Sequence, residues 1–583
     1  MAVFCITKKV NSPFSIIGTY NNLKIGFIES HQKKSEYYRC NDRDIVWMST
    51  TPVIETNNLI SEIEGLKYEL IPRLLDAAQN NFCGFGISKE KGEITIFSSR
   101  FSRSQLYFIQ NEDGFYFSSN FKELLPFSKR KLNLTSAFST IKFGDSPDFE
   151  TLVLDIHSVP SSKYLKISFE SLFTKEINPD IFKKFFKINY TFQGGDIKHT
   201  EFLLDNMMDF ISKKDIIVPL SGGIDSTLLS CLIDKHRTSK YPAYFMQFGD
   251  ADTELEFAKK AAEGTKAELS VFKMDETDFI ESFEFQAKNL QLPVGESSPI
   301  AMAHLFRKGV LQDKTIIDGT LADGCYGSRD YNTPLFTGIS DKGSFSQLLS
   351  EKISGFLQLL NLPGKNKFHP RDAYIKDPYL QSMAIYTGPL SNFIFKKSKE
   401  KSQILEELWA KYYDLIQYDS NLTTQDIQWI KFTVFKMIGY ASKVTTAKID
   451  DLKGSNDVIY PFMWKNILDD QGKYSWKEKT KDNIIKHPLK TILKEFKDDS
   501  FIFRKKVGLN SAFNQWVYNT EIRYYLCNLL SHNNDLTIEL IGKNNLKHLL
   551  SSFNKVDHNI NLNNLVISLA SIQLWANHNQ LSL

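Results

Sequence analysis

Cysteine is scarce in this sequence, and its few cysteines are far apart. The chain has 6 cysteines in 583 residues, and no two of them form a CxxC pair. This spacing argues against a disulfide scaffold and a cysteine-based zinc site, and it is typical of a reducing compartment. An excess of charge is missing as well. With 71 basic and 68 acidic residues the formal net charge is only +3, which gives no support to a nucleic-acid partner.

Long hydrophobic runs are absent too. The longest apolar stretch, LVISLASIQLWA near the C-terminus, is too short and too interrupted to cross a bilayer. The first residues, MAVFCITKKVNSPFSIIG, lack the basic segment and apolar core of a secretory signal. Because 42% of the residues are hydrophobic and 24% are charged, the chain can bury large cores. We expect a soluble cytoplasmic enzyme with no membrane partner.

Two regions differ in their hydrophobic pattern. Residues 1–175 alternate apolar and polar residues between short turns, as in GEITIFSSRFSRSQLYFIQNEDGFYFSSN, which predicts a β-rich domain of the α+β class. Over 196–583, helical periods alternate with short apolar strands such as IIVPL, AYFMQFGD, AELSVFKM and TIIDG. This alternation predicts an α/β domain with a parallel sheet covered by helices, and the mostly helical pattern after about residue 340 predicts a helical annex.

The most specific motif is SGGIDS, between the strand IIVPL and a helix. It consists of Ser221, Gly222, Gly223, Ile224, Asp225 and Ser226. The two glycines allow a tight turn close to a phosphate, the serines add hydroxyl donors, and the helix directs free N–H groups to the same point. Asp225 is predicted to bind Mg²⁺ carried by a pyrophosphate, because this hard cation prefers carboxylate oxygens. A serine-capped turn with incidental glycines is the alternative interpretation. The Walker pattern GxxxxGK[ST] is absent here, which favours cleavage between the α and β phosphates.

This motif resembles the ATP-pyrophosphatase (PP-loop) superfamily, and other segments narrow the resemblance to asparagine synthetase-like enzymes. In chain order they are DGFYFSSNFKELL, TLVLDIHSVPSSKYLKIS, TELEFAKKAAE, ESSPIAMAHL, VIYPFMWKNILD and FRKKVGL. The resemblance implies a glutaminase-like, Ntn-type domain over 1–175 and an ATP-pyrophosphatase domain over 196–583, with ATP and Mg²⁺ as cofactors. Under this hypothesis the adenine is held by backbone groups of Leu220, Phe245, Met246 and Gln247.

The N-terminal domain departs from the glutamine-hydrolysing members of that family. Those members carry a nucleophilic cysteine directly after the initiator methionine, where this sequence has Ala2. Cys5 is a poor substitute, because an N-terminal nucleophile uses its own α-amino group and Cys5 lies in a predicted strand. We interpret Cys5 as a small buried hydrophobic residue. The sequence therefore resembles the amide-forming branch, with β-lactam synthetase, carbapenam synthetase and lasso-peptide cyclase, in which the degenerate N-terminal domain is structural.

A second loop has the sequence Asp318-Gly319-Thr320-Leu321-Ala322-Asp323. Asparagine synthetases have a serine-glycine-glutamate-glycine-serine-aspartate run here, so the resemblance makes Asp323 the second Mg²⁺ carboxylate and assigns Gly319 to the cofactor site. A helix N-cap is the alternative for Asp323. Thr320 takes the glutamate position, which β-lactam synthetase fills with tyrosine. Because a threonine hydroxyl is not a strong base near neutral pH, the base must come from elsewhere.

Two further residues complete the predicted catalytic set. Asp457 lies four residues before the PF pair, where β-lactam synthetase has its glutamate, so it is the candidate base; a turn aspartate in GSND is the alternative. Lys506 falls on the lysine of the family's RxKxGF pattern and would neutralise the oxyanion and the departing pyrophosphate. A solvated basic run at 504–506 is the alternative. We interpret another basic run, KEKTKDNIIKH at 477–487, as a solvated helix face.

These assignments predict an AMP-forming carbon–nitrogen ligase. Its substrate is a small molecule or peptide with a carboxylate and an amine, and the amide could close within one molecule, as in a lactam or a peptide macrolactam. An ammonia-dependent asparagine synthetase-like amidotransferase without its own glutaminase activity is the alternative. A pseudoenzyme scaffold and a PP-loop sulfur transferase remain open, and a partner protein or leader peptide could dock on the N-terminal domain.

Overall fold

The computed structural model describes residues 3–7, 14–28, 37–49, 68–100, 106–144, 146, 149–248, 254–295, 298–327, 410–434, 452, 457–504, 516–517, 519–531, 535–555 and 560–583. Antiparallel sheets make up its N-terminal part, and a parallel sheet lies at the centre of its C-terminal part. The change in hydrophobic pattern along the chain predicts this division. Within these ranges no helix has both the length and the apolar character that a bilayer crossing needs.

Two six-stranded antiparallel sheets form the N-terminal part. Their strands are β1 (Val3–Thr7), β2 (Ser15–Tyr20), β3 (Leu23–Ile28), β4 (Tyr37–Cys40), β5 (Asp44–Met48), β6 (Gly84–Ser88), β7 (Glu93–Phe97), β8 (Tyr107–Gln110), β9 (Gly114–Ser118), β10 (His157–Ser158), β11 (Lys163–Ser168) and β12 (Lys183–Lys184). The strand orders are β10-β8-β9-β1-β3-β2 and β12-β11-β7-β6-β5-β4. Both sheets contribute to a shared core, in which the Phe85 ring lies 4.5 Å from Phe4 and 4.8 Å from Phe117.

Local signals explain how this part turns. The helices here are α1 (Ile71–Ala77), α2 (Phe121–Leu124) and α3 (Leu134–Phe143). Between β8 and β9 the Asn111 side chain accepts hydrogen bonds from the Asp113 and Gly114 N–H groups, both at 3.0 Å, as expected for an EDG turn. Helix α3 ends at Gly144, which has a left-handed φ of 84°.

Cys5 lies in the middle of this β structure. Its strand pairs with β3 on one side and β9 on the other. The side chain is fully buried, and burial raises the pKa of the thiol to about 12. This environment suits the small buried hydrophobic residue that the sequence predicts, because the reactive thiolate form is disfavoured.

A five-stranded parallel sheet forms the centre of the C-terminal part. Its strands are β14 (Ile216–Pro219), β15 (Tyr241–Phe248), β16 (Ala267–Met274), β17 (Thr315–Ile317) and β19 (Asp457–Ile459), in the order β16-β15-β14-β17-β19, and β13 (Ile188–Tyr190) pairs with β18 (Ile416–Tyr418) in a separate ladder. The first four coincide with predicted strands. The direction of winding reverses between β14 and β17, and ligands of open α/β sheets bind at the carboxyl ends of the strands at such a point.

Helices make up most of the rest of the described C-terminal part. They are α4 (Ile197–Ser212), α5 (Ile224–His236), α6 (Leu255–Ala262), α7 (Glu276–Asn289), α8 (Ser298–Arg307), α9 (Ala322–Tyr326), α10 (Thr424–Thr433), α11 (Lys465–Gln471), α12 (Trp476–Lys479), α13 (His487–Leu493), α14 (Asp499–Ile502), α15 (Thr520–Ser531), α16 (Asp535–Ile541), α17 (Lys543–Asn554) and α18 (Ile560–His578). From residue 410 onward the described ranges are mostly helical, as expected for the annex. Residues 328–409 lie outside them.

The longest apolar stretch forms α18, which joins the two halves of the molecule. On the C-terminal side, Trp575 donates to the Leu290 carbonyl at 3.2 Å and Ser568 donates to the Gly295 carbonyl at 2.6 Å. After α18 the chain returns to the N-terminal part, where the Leu132 N–H donates to the Ser582 carbonyl at 2.8 Å. The stretch is therefore apolar because it is a buried core helix.

Candidate active site

The SGGIDS segment forms a tight loop between β14 and α5. Gly222 has a φ of +68°, and a Cβ there would come within 2.6 Å of the Phe257 backbone on α6. The Ser221 hydroxyl accepts from the Gly223 N–H and lies beside the Ser226 hydroxyl, both at 3.3 Å. The loop is therefore closed by its own serines and packed so tightly against α6 that only glycine fits at its turn.

The amino end of α5 directs backbone N–H groups to the same place. Gly223 is the N-cap residue, and among the described residues no side chain caps this helix. The first N–H groups of a helix have no acceptor inside it, so such an end attracts anions. Asp225 lies in this first turn. Loop and helix end thus lie side by side, and their role as a phosphate site stays a prediction.

The second predicted loop follows β17 and leads into α9. Its Asp318 accepts hydrogen bonds from the Thr320 N–H, at 2.8 Å, and from the Thr320 hydroxyl. Leu321 has a φ of +81°, a left-handed conformation that is unusual outside glycine. A Cβ on Gly319 would lie only 3.2 Å from the Asp225 Cβ. The glycine therefore lets the second loop approach Asp225 closely.

Helix α9 carries Asp323 and is held from behind by a buried polar network. The Tyr326 hydroxyl at its end donates to Asp470 at 3.3 Å, and the Thr200 hydroxyl donates to the same carboxylate oxygen at 2.6 Å. Burial raises the pKa of Asp470, while Thr200 lowers it. The helix begins after Leu321, which is its N-cap residue. The alternative interpretation of Asp323 as an N-cap is therefore wrong.

Lys486, which sequence reasoning missed, joins the two loops. Its Nζ lies 2.7 and 2.5 Å from the two Asp225 oxygens and 2.5 Å from Asp323 Oδ1. Burial alone would lower the pKa of Lys486, but the two carboxylates more than offset it, so the pKa is raised. The two carboxylates predicted to bind Mg²⁺ thus converge on one cation.

Lys486 reaches this position from a segment with an unusual backbone. Asp482, Asn483 and Lys486 have φ values of 55°, 60° and 59°, and left-handed residues other than glycine cost about 1 kcal/mol or more each. Lys486 directly precedes α13, which packs against α5. The segment is therefore held by tertiary contacts, and its local sequence contains no signal for a phosphate-site lysine.

Lys479, seven residues earlier, is also buried. Its ammonium donates to the Gln471 side chain at 2.8 Å and lies over the rings of Trp429 and Tyr190, at 5.1 and 5.9 Å. Burial lowers the pKa of Lys479 from 10.5 to about 7. The interpretation of KEKTKDNIIKH as a solvated helix face is therefore wrong for Lys479 and Lys486.

The predicted adenine-binding residues lie at the same edge of the sheet. The Leu220 N–H donates to the Tyr244 carbonyl at 2.8 Å, so only its carbonyl remains for a ligand. Pairing between β14 and β15 ends at Pro219 and Tyr244, whereas β15 continues along β16. The continuation contains Phe245, Met246 and Gln247, which therefore lie next to the start of the phosphate loop.

Two further predicted residues, Asp457 and Lys506, complete the set. Asp457 begins β19 and pairs with Thr315, about 7 Å along the strand from Ile459, whose carbonyl accepts from the Asp318 N–H at 3.0 Å. It is thus a strand residue, and its interpretation as a turn aspartate is wrong. Lys506 lies outside the described residues. Both catalytic assignments remain predictions.

The cysteines on α5 and α9 are both buried. Cys325 on α9 is buried and donates to the Phe462 carbonyl at 3.4 Å. Burial raises the pKa of Cys325 to about 12 and that of Cys231 on α5 to about 11. Within the ranges described, no group of three or more His, Cys, Asp or Glu side chains could hold a metal ion. Asp225 and Asp323 remain the predicted metal ligands.

A glycine-serine loop at the switch point of a parallel sheet, with two carboxylates beside it, defines an ATP-pyrophosphatase type of domain. Residues 208–577 match the family model described as asparagine synthase, and the chain belongs to this family. Its members use ATP, typically with Mg²⁺, so the chain is in general terms an ATP-dependent ligase of the amide-forming or amidating kind.

No curated protein matches the chain. Among solved structures, the NMN synthetase from Francisella tularensis is similar over 41% of this chain and 94% of its own length. It has 13% sequence identity and a TM-score of 0.19, a likeness that carries no argument about function.

Proposed function

We propose that this protein activates a substrate carboxylate with ATP and joins it to an amine. The main supporting observation is that Asp225 and Asp323 both contact the Lys486 ammonium beside the phosphate loop. These carboxylates follow the carboxyl ends of β14 and β17, the two strands of the switch point. A pyrophosphate held at the amino end of α5 would have these charged groups next to it.

The chemistry proceeds in two steps. A carboxylate oxygen attacks the α-phosphorus of ATP, the bond from that phosphorus to the bridging oxygen breaks, and pyrophosphate leaves with the electron pair. The amine nitrogen then attacks the acyl carbon, the amide bond forms, and AMP leaves with the carbon–oxygen electron pair while the amine loses a proton to a base. Adenylation is needed because a free carboxylate is a poor electrophile and AMP is a good leaving group.

The donor set suits Mg²⁺, which prefers carboxylate oxygens. The carboxylates can bind Mg²⁺ as well as Lys486, because an ionised carboxylate has about four lone-pair sites. Asp225 and Asp323 would hold the metal, which supplies charge neutralisation for the phosphates when bound. Lys486 adds a fixed positive charge at the same place. We infer that it neutralises part of the charge that develops on the departing pyrophosphate.

Thr320 has a positioning role in this proposal. Its hydroxyl donates its proton to Asp318, so the residue orders the second loop and leaves base chemistry to another group. Asp457 is proposed as that base, and Lys506 as a second cation for the oxyanion and pyrophosphate. The pH dependence of amide formation in Asp457→Asn and the adenylation rate of Lys506→Met would test these two roles separately.

The N-terminal part is proposed to be an Ntn-type domain that no longer hydrolyses glutamine. Cys5 supports this, since its thiol is buried between two paired strands. The amine would then come from the substrate itself or from a second substrate, and a partner protein or leader peptide could bring that substrate. The inert environments of Cys231 and Cys325 argue against the sulfur-transfer alternative.

A pyrophosphate exchange assay tests the proposal. The protein is incubated with MgATP, labelled pyrophosphate and a panel of amino acids, peptides and sugar acids. Incorporation of label into ATP that depends on one class of carboxylate is the expected result, and AMP should appear once an amine is added. Release of ADP and phosphate would overturn the proposal. Transfer of ¹⁵N from ammonium into the product would instead favour the ammonia-dependent amidotransferase.

A further inference from the structure

Arg504, which has no role in the proposed reaction, contacts both the phosphate loop and the start of α6. Two residues beyond α14, its guanidinium is bidentate to Glu254, with Nη2–Oε2 at 2.6 Å and Nη1–Oε1 at 3.2 Å. The same Nη2 donates to the Gly222 carbonyl at 3.1 Å. The guanidinium carbon lies 3.9 Å from the centre of the Phe257 ring. Only 9% of the Arg504 side chain is exposed.

These contacts fix the orientation of one peptide group. In a planar trans peptide the carbonyl and the following N–H point in opposite directions. Because Arg504 holds the Gly222 carbonyl, the N–H of Gly223 must point away from the guanidinium. That N–H instead donates to the Ser221 hydroxyl at 3.3 Å, inside the loop itself.

A second constraint acts on the same peptide from α6. A Cβ on Gly222 would lie 2.6 Å from the Phe257 carbonyl carbon and 2.8 Å from the Ala258 nitrogen. The loop is thus packed against the helix whose first turn contains Phe257 and whose preceding residue is Glu254. Arg504 bonds to this helix start and to the loop at once, so it sets their relative position.

We propose that Arg504 is a positioning residue that holds the phosphate loop in its anion-binding conformation through the Gly222 carbonyl. This inference rests on the proposed binding of ATP at that loop. Arg504 acts through the backbone and does not itself touch the phosphates. Glutamine cannot supply the bidentate ion pair and the ring contact, whereas lysine keeps one charged donor.

Calorimetric titration of Arg504→Gln with MgATP, magnesium pyrophosphate and AMP tests this role. We expect the affinity for pyrophosphate and ATP to fall about tenfold or more, as for loss of a charge-assisted hydrogen bond. AMP should bind within about twofold of wild type, because its base and ribose lie toward β15. Arg504→Lys should recover part of the pyrophosphate affinity, and Glu254→Gln should weaken pyrophosphate in the same selective way without altering Arg504.

Arg307→Gln is the matched control, since Arg307 pairs with Asp278 at 2.9 Å and also contacts Glu281. It should lower the melting temperature without a selective loss of pyrophosphate binding. Equal affinities in wild type and the Arg504 variants, or a parallel loss for AMP, would overturn the positioning role. If Arg504→Gln does not fold, Glu254→Gln decides in its place. A wild-type protein that binds neither ATP nor pyrophosphate would instead overturn the proposed function.

Discussion

Two lysines seven residues apart show how differently one basic segment can be used. Lys479 and Lys486 are both nearly inaccessible to solvent. The pKa of Lys479 is lowered to about 7 by burial among aromatic rings, whereas the pKa of Lys486 is raised because two carboxylates outweigh its burial. Burial removes the same hydration from both, so the partners decide whether the charge is retained.

The strongest test of this comparison removes the charge next to the phosphate loop. Lys486→Met leaves Asp225 and Asp323 facing each other without their shared cation, and we expect pyrophosphate exchange to fall about a hundredfold or more. The variant should also bind Mg²⁺ more tightly, since the two carboxylates then have no ammonium competing for their oxygens. Circular dichroism checks that it folds. Exchange within threefold of wild type would contradict the assigned role.

The same substitution at the other buried lysine should have the opposite effect and stabilise the protein. Lys479→Met replaces a buried amine by an apolar chain of similar length, and we expect the free energy of unfolding to rise by about 1–4 kcal/mol. In wild type, the unfolded state binds more protons at this lysine between the folded pKa of about 7 and the ordinary 10.5. The free energy of unfolding should therefore rise with pH across that window.

Urea titrations of wild type and Lys479→Met at several pH values within that window check both points. In the variant, the free energy of unfolding should no longer rise with pH as it does in wild type. A less stable variant with an unchanged pH dependence would show that the Lys479 amine stabilises the fold through its bond to Gln471.

Asp225 and Asp323 should contribute unequally to catalysis. Both carboxylates contact Lys486, but the Asp225 side chain is 21% exposed, whereas the Asp323 side chain is 52% exposed. We expect kcat/KM for ATP to fall about tenfold further in Asp225→Asn than in Asp323→Asn, since solvent screens the more exposed charge. Steady-state exchange kinetics measure the ratio. Equal losses of kcat/KM would indicate that both carboxylates contribute equally to metal binding, whatever their exposure.

Sequence reasoning located the two loops but not the lysine between them. A phosphate loop has local requirements, a positive φ at Gly222 and a helix start beside it, and these are readable in six consecutive residues. Lys486 meets Asp225 across 261 positions of the chain, and nothing in a basic run reveals a distant carboxylate partner. Strand β19 has only three residues, too few for a recognisable period, so the role of Asp457 had to be predicted from resemblance alone.

The smallest expected effect comes from a third lysine of the same segment. Lys477 is exposed on α12, with its ammonium 5.8 Å from the Trp476 ring, and it matches the sequence-based interpretation of a solvated face. Lys477→Met should change the free energy of unfolding by less than about 0.5 kcal/mol and leave pyrophosphate exchange unchanged. Urea titration and the exchange assay provide both values. A loss comparable to that of Lys486→Met would mean that the segment acts through its overall charge, and the distinction between its buried lysines would fail.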